Sequence, residues 1–224
     1  MVAQELSPCP RMNPSDDTPP RIEARALAFS RQDEAIFGPM SLVVRAGEVL
    51  LIEGGNGSGK TTLLRVLAGL LEASAGTVTR EAQPFGEEPS TPVVFLGHQG
   101  GLKLDLSARE NLGFTKQLTG LRQGSSIAGV LKSVGLEGFE DTPLRFLSAG
   151  QKKRAALAAI LIAPVSLWLL DEPYANLDRE GHRLVDRMLE THIARGGAAV
   201  ITAHGMLDPA VSRLRRQPME CAHG

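Results

Sequence analysis

The stretch Gly54-Gly55-Asn56-Gly57-Ser58-Gly59-Lys60-Thr61 has residue types and spacing suited to holding a polyphosphate. A triphosphate is a dense array of acceptors, so its site needs many donors converging on one point. Backbone N–H groups of a glycine loop opening a helix supply them, and the missing side chains let the phosphates approach the main chain. The spacing is G-x-x-x-x-G-K-T, after the apolar run VLLIE and before the helical pattern KTTLLRVLAGLL, which is the context this chemistry requires. Lys60 is expected to reach the β- and γ-phosphates and the Thr61 hydroxyl to ligate Mg²⁺, with Thr62 next to them in the same binding stretch.

Other polar groups stand at comparable points in the chain. Asp171-Glu172 follows VSLWLL, His204 follows AAVIT, and His98-Gln99 follows VVFL inside a bracket of glycines, Gly97 and Gly100-Gly101. Taken singly, each has an ordinary reading: a carboxylate pair capping a helix, a structural histidine, two solvated loop residues. Together they all follow short apolar strands, as the phosphate loop does. In a parallel sheet such strand ends share one edge, where ligands bind. Asp171 is then placed to hold Mg²⁺ directly or through water, and Glu172 to polarise an attacking water.

The elements that would carry these groups are readable in outline. IEARALAF alternates like a half-buried strand from Ile22, and SLVV and VLLIE flank the turn Ala46-Gly47-Glu48. Ser107 with Glu110, and Ser148 with Gln151, are capping boxes that open helices. Residues 113–145 read as a small helical region with glycine breaks, and the second capped helix stops before Pro164. VSLWLL is continuously apolar, as a central parallel strand covered on both faces should be. Asp178 caps a helix reaching about Arg195, ended by Gly196-Gly197. The alternation of strands and helices predicts an α/β fold with a mainly parallel sheet. From Asp208 onward the chain is polar and is expected to fray.

The totals set bounds. At 224 residues with 42% hydrophobic content the chain can bury a sizeable core, and its net charge of -1 lacks the basic surplus usual in nucleic-acid binders. Cys9 and Cys221 stand alone in the two tails, which fits free thiols in a reducing compartment, with an inter-tail disulfide as the alternative. No signal peptide is evident, and the longest apolar run, Ala155 to Leu170, is broken by Pro164 and too short to span a bilayer.

The order of these pieces resembles the ATP-binding subunit of ABC transporters. The resemblance rests on the phosphate loop, the signature-like Leu147-Ser148-Ala149-Gly150-Gln151, the Asp171-Glu172 pair, the turn Ala175-Asn176-Leu177-Asp178 and His204, and it covers roughly residues 22–205. It implies a P-loop NTPase fold with an N-terminal antiparallel β region and a helical subdomain at about residues 100–163. The ATP-binding domain would span 21–207, between a flexible tail at 1–20 and a C-terminal tail at 208–224. It implies ATP and Mg²⁺ as cofactors, and a head-to-tail dimer with a second copy of the ATP-binding chain. Each ATP would lie between one chain's phosphate loop and the partner's Ser148, Gly150 and Gln151. Within the family, SAGQ and the LGHQGGLK segment are most similar to ATP-binding subunits of cytochrome c maturation, often described as haem exporters. That implies hydrophobic membrane subunits as partners and a peripheral place on the cytoplasmic face of the inner membrane. The same motor serving another small-molecule exporter, or a soluble ATPase acting on ribosomes or nucleic acid, are the alternatives.

Two family positions are unusual here. A glutamine normally senses Mg²⁺ or the attacking water in the loop before the helical subdomain; a gap-free count puts His98 there, with Gln99 adjacent, so either histidine substitutes or the glutamine is displaced by one, and the two are expected to share the coupling role with Gln99 as the polar sensor. The aromatic residue that often stacks on adenine is replaced in the count by Arg31, whose planar guanidinium can stack on a base. Phe29, two residues earlier, is expected in the core.

Overall fold

The computed structural model describes residues 20–81, 83–84, 92–97, 100–203 and 207–220. The expectations for Cys9, Cys221, His98, Gln99 and His204, and for nearly all of the N-terminal tail, therefore fall outside the described residues.

The described residues form two sheets, with helices packed around one of them and a further group of helices beside it. β1 (Pro20–Arg31) and β2 (Glu34–Arg45) form a long hairpin, joined by β4 (Ala75–Arg80) and β5 (Gln83–Pro84) in an antiparallel sheet of order β2-β1-β4-β5. The hairpin turns at Gln32 and Asp33, both with positive φ, and β1 is bulged where Ala26 also takes a positive φ. β3 (Val49–Glu53), β6 (Val93–Leu96), β7 (Leu167–Leu170), β8 (Ala198–Ala203) and β9 (Leu214–Pro218) form a second sheet of order β6-β7-β8-β3-β9, paired in parallel throughout. β7 and β8 are buried at every position, as their unbroken apolar sequences require.

β9 corrects one expectation. Residues 214–218, expected to fray, pair with β3 and close that edge of the sheet, and Val211 and Met219 on either side are buried. The sequence LRRQP looks polar because an edge strand gains its place from main-chain pairing with β3 and needs little burial of its own side chains.

The helices pack around this sheet. α1 (Lys60–Ala68) follows β3, and α4 (Ala149–Ile162) and α5 (Arg179–Ala194) bracket β7 in sequence. α2 (Ala108–Thr119) and α3 (Ile127–Ser133) pack with α4 as a separate helical layer. Both expected capping boxes are formed, at Ser107/Glu110 and Ser148/Gln151, and Asp178 caps α5 by accepting from the Gly181 N–H at 2.8 Å. Arg80 of β4 reaches across to donate to the Leu67 carbonyl near the end of α1 at 2.7 Å, tying the antiparallel sheet to the phosphate-loop helix. Among the described residues, no helix is long and apolar enough to cross a membrane.

Candidate active site

Because β3, β6, β7 and β8 are parallel, their C-terminal ends lie on one edge, as the spacing predicts. β3 delivers the phosphate loop there. Gly57 and Gly59 have φ of 78° and 89°, a region that glycine enters without penalty. A Cβ on Gly54 would come within 2.5 Å of the Met219 carbonyl and 2.6 Å of Ser58 Oγ, whereas Gly55 and Gly57 face open space. The loop is therefore packed tightly beneath at Gly54 and open above. Gly55, Asn56 and Gly57 are exposed, and Ser58 is buried with its hydroxyl unpartnered. The first-turn amides of α1 have no intrahelical acceptor and point out of the helix N-terminus. Lys60 curls back over the loop, donating from Nζ to the carbonyls of Gly54 at 2.6 Å and Gly55 at 2.8 Å. A concave face of free N–H groups with an ammonium beside it suits a polyphosphate.

The register of β7 against β8 pairs Leu170 with Ile201, so Asp171 leaves its strand beside Thr202. Asp171 is buried, and both carboxylate oxygens are occupied: Oδ2 accepts from the Thr61 hydroxyl at 2.8 Å and Oδ1 from the Thr202 hydroxyl at 2.7 Å. The Asp171 N–H donates to the Leu96 carbonyl of β6 at 2.8 Å. A hard divalent cation prefers hydroxyl and carboxylate oxygens, and Thr61 and Asp171 present such a pair at the loop's mouth. These residues fit Mg²⁺ in chemistry, leaving water and phosphate oxygens to complete its shell.

Glu172 is half-buried and has a φ of 46°, uncommon for a residue with a side chain. Two bonds hold it there: its N–H donates to Thr202 Oγ1 at 3.0 Å, and its carbonyl accepts from Lys153 Nζ at 2.8 Å. Burial lowers the Lys153 pKa, and the charges of Asp171 and Glu172 work against that shift. Neither Thr202 nor Lys153 stands out in the sequence. The one signal for Thr202 was a hydroxyl inside an otherwise apolar strand.

Ser148 is exposed at the start of α4, where its Oγ accepts the Gln151 N–H at 3.2 Å and its own N–H donates to Gln151 Oε1 at 2.9 Å. The Gln151 side-chain carbonyl is thus occupied by the cap. Gly150 lies against the turn after Glu172, since a Cβ there would sit 3.2 Å from the Asn176 carbonyl. No hydrogen bond among the described residues links Ser148, Gly150 or Gln151 to this chain's own phosphate loop. Arg31 is exposed at the end of β1, paired in register with Glu34. Ile36, shortly after that turn, packs its carbonyl 3.1 Å from where a Gly59 Cβ would lie. Phe29 stacks on Phe37 at 6.4 Å and packs against the core, as expected.

Comparison with known proteins agrees with this geometry. Residues 37–175 match the model of the ABC transporter family. Over 212 residues the chain is 49% identical to the cytochrome c biogenesis ATP-binding export protein CcmA of Xanthomonas campestris pv. campestris (strain 8004), covering 94% of this chain and 99% of that protein. The CcmA protein of Xylella fastidiosa (strain 9a5c) is 43% identical over 207 residues, 92% of each chain. Among solved structures, a putative ABC transporter ATP-binding protein from Pyrococcus furiosus superposes with a TM-score of 0.76 at 23% identity, covering 88% of this chain and 96% of that one. CbiO1 from Clostridium perfringens, part of the ABC transporter complex cbiONQ, superposes with a TM-score of 0.66 at 26% identity, covering 84% and 79%.

Proposed function

The chain belongs to the ABC transporter ATP-binding family, and from that premise we propose that it is the ATP-hydrolysing subunit of a membrane complex for cytochrome c biogenesis, coupling hydrolysis to haem export or handover. The observation that carries the catalytic part is the junction at Asp171, where one buried carboxylate meets the phosphate-loop hydroxyl of Thr61 and precedes Glu172. The near-half identity to CcmA proteins along almost the whole chain supports the cytochrome c assignment.

In this reading Gly54 to Thr62 bind the triphosphate through main-chain N–H groups and Lys60, whose ammonium leaves its carbonyl partners for the phosphate oxygens. Thr61 and Asp171 would hold Mg²⁺, which when bound neutralises charge on those oxygens. Glu172, fixed through its own backbone, orients and polarises the water that attacks the γ-phosphate in line. Gln99 and His204 complete the site by resemblance, and Arg31 stacks on the base. Ser148 and Gly150 serve the ATP of a partner copy, because the capped helix start presents a hydroxyl and free amides outward, while Gln151 braces that cap. The chain would then sit peripherally on hydrophobic membrane subunits at the cytoplasmic face.

The test has two parts. In ATP turnover by the purified protein, Lys60→Ala is expected to be inactive, and Glu172→Gln to bind ATP yet hydrolyse it at least about 100-fold more slowly. A Glu172→Gln protein turning over at the wild-type rate would remove Glu172 from its role. In the native host, deletion of this chain should abolish c-type cytochromes detected by haem staining, with rescue by the wild type and none by Lys60→Ala. Normal c-type cytochromes after deletion would leave the motor and discard the pathway.

A further inference from the structure

A second cavity, at the opposite end of β7 from Asp171, has a volume of about 390 Å³ and lies between α3, the end of α4 and α5. Trp168, the second residue of β7, and His192 of α5 both line it, with their rings stacked at 3.7 Å and 8°. Three arginines line it as well: Arg122, whose guanidinium lies over the Trp168 ring at 6.0 Å, Arg187 on the exposed side of α5, and Arg195 just past the end of α5. No aspartate or glutamate lines it.

This charge is only partly offset within the chain. Arg122 donates to the carbonyls of Leu161, Ala163 and Val165 at 3.1, 2.6 and 3.2 Å, the end of α4 where helix carbonyls carry partial negative charge. Burial, and then the charge of Arg195, lower the Arg122 pKa, so the two guanidiniums act on one another as like charges. No hydrogen bond or ion pair among the described residues engages the Arg187 or Arg195 side chains. His192 adds no cation: burial, then Arg122, push its pKa down to about 4, and its ring Nε2 is shared between the Ser166 and Ala198 carbonyls at 3.1 and 3.2 Å. The indole N–H of Trp168 is buried and has no acceptor among the described residues, which is rare enough to need an explanation. The remaining lining is apolar, with Val130, Leu184 and Met188, or hydroxylic, with Ser125 and Thr191.

We propose that this cavity binds a small organic anion with an apolar body, its carboxylate or phosphate held by Arg122, Arg187 and Arg195. Every charge in the lining is positive, and the Trp168 N–H and the Ser125 hydroxyl add neutral donors, while Ser133 and Thr191 donate to the Val130 and Arg187 carbonyls, so the cavity favours an acceptor-rich ligand over a cation. Its size suits a molecule of modest length. The chemistry is shared by a free amphiphilic acid and by an acidic lipid headgroup. The site is separate from the phosphate loop and does not depend on the function proposed above.

Trp168 is the only tryptophan in the chain, so its fluorescence, excited selectively over that of Tyr174, reports on this cavity. The full chain would be titrated with octanoate, with neutral octanamide and with inorganic phosphate. A saturable change with octanoate is expected, absent with octanamide, far weaker with phosphate, and weakened about tenfold or more in Arg187→Ala/Arg195→Ala. Arg187→Lys/Arg195→Lys should retain most of the affinity, and unchanged ATP turnover reports that both variants are folded. Equal binding of octanamide, equal affinity for inorganic phosphate, or an unaltered response in the alanine pair would each overturn the proposal. Phosphatidylglycerol vesicles that displace octanoate would support the site and identify a lipid source. Octanoate binding that such vesicles do not displace would support it with a free acid as ligand.

Discussion

Replacing Thr202 by valine removes one hydroxyl from the centre of the candidate active site and changes little else. Thr202 is fully buried; its Oγ1 donates to Asp171 Oδ1 at 2.7 Å and accepts the Glu172 N–H at 3.0 Å. Valine keeps the shape of the side chain but supplies neither bond, which is why this exchange is not conservative in a core. A bond to a charged group contributes about 1.5–3 kcal/mol, and a stranded buried N–H costs about 1–3 kcal/mol. A total loss of about 3 kcal/mol follows, which for a chain of this size lowers the apparent melting temperature by roughly 6–12 °C. Turnover should fall too, because Asp171 and the backbone of Glu172 lose the same anchor. Thr202→Ser keeps the hydroxyl and should lose only about 1 kcal/mol for its missing methyl. Differential scanning fluorimetry with a steady-state ATPase assay checks both. If Thr202→Val melted within about 2 °C of wild type and hydrolysed ATP at the wild-type rate, the Asp171 junction would not work as described.

Other perturbations follow from the same geometry. Gly54→Ala would put a Cβ 2.5 Å from the Met219 carbonyl, a contact with backbone that cannot swing aside, so a loss of about 1–3 kcal/mol in urea unfolding and weaker ATP binding are expected. Lys153→Met keeps the packing of α4 but frees the Glu172 carbonyl; kcat should fall several-fold with KM for ATP little changed, since among the described residues the Lys153 side chain hydrogen-bonds the Glu172 carbonyl and no phosphate-loop residue. His192 is buried with a pKa pushed down to about 4, so between about pH 6.5 and 4 the unfolded chain binds the proton and the folded chain does not. Stability is therefore full above pH 6.5 and falls as the pH drops through this window, by about 2 kcal/mol at pH 5 from this group; His192→Gln should flatten that part of the profile in urea midpoints taken at pH 7.5 and 5.

Much of this was legible in the sequence for definite reasons. The phosphate loop is carried by local constraints: glycines at positive φ, a lysine and a threonine at fixed offsets, an apolar strand before and a helix after. The starts of α2, α4 and α5 were equally plain, because an N-cap side chain satisfies amides only a few residues away. What could not be read was non-local. Thr202 and Lys153 meet Asp171 and Glu172 only through strand register and helix packing, 31 and 19 residues apart in the chain. β9 was missed because its stability comes from another strand's main chain, and that leaves no hydrophobic pattern. The length of β2, which begins at Glu34 well before SLVV, was hidden by Gly38-Pro39 inside it.

The same non-local contacts explain why the motifs act as one unit. The Asp171 carboxylate is shared by α1 through Thr61 and by β8 through Thr202. The next residue ties its N–H to that same threonine and its carbonyl to Lys153 on α4, the helix that Ser148 caps. Ser148 and Lys153 are separated by about 7.5 Å along a continuous helix. A displacement of the start of α4, such as a partner's nucleotide pressing on Ser148 would cause, therefore reaches the backbone of Glu172 through one rigid element and one hydrogen bond. Glu172 is held at a positive φ that its own side chain disfavours, so it is the point in this chain of contacts with strain to release. The loop proposed to bind phosphate and the helix that would meet a partner are thus joined at the residue proposed to position the water.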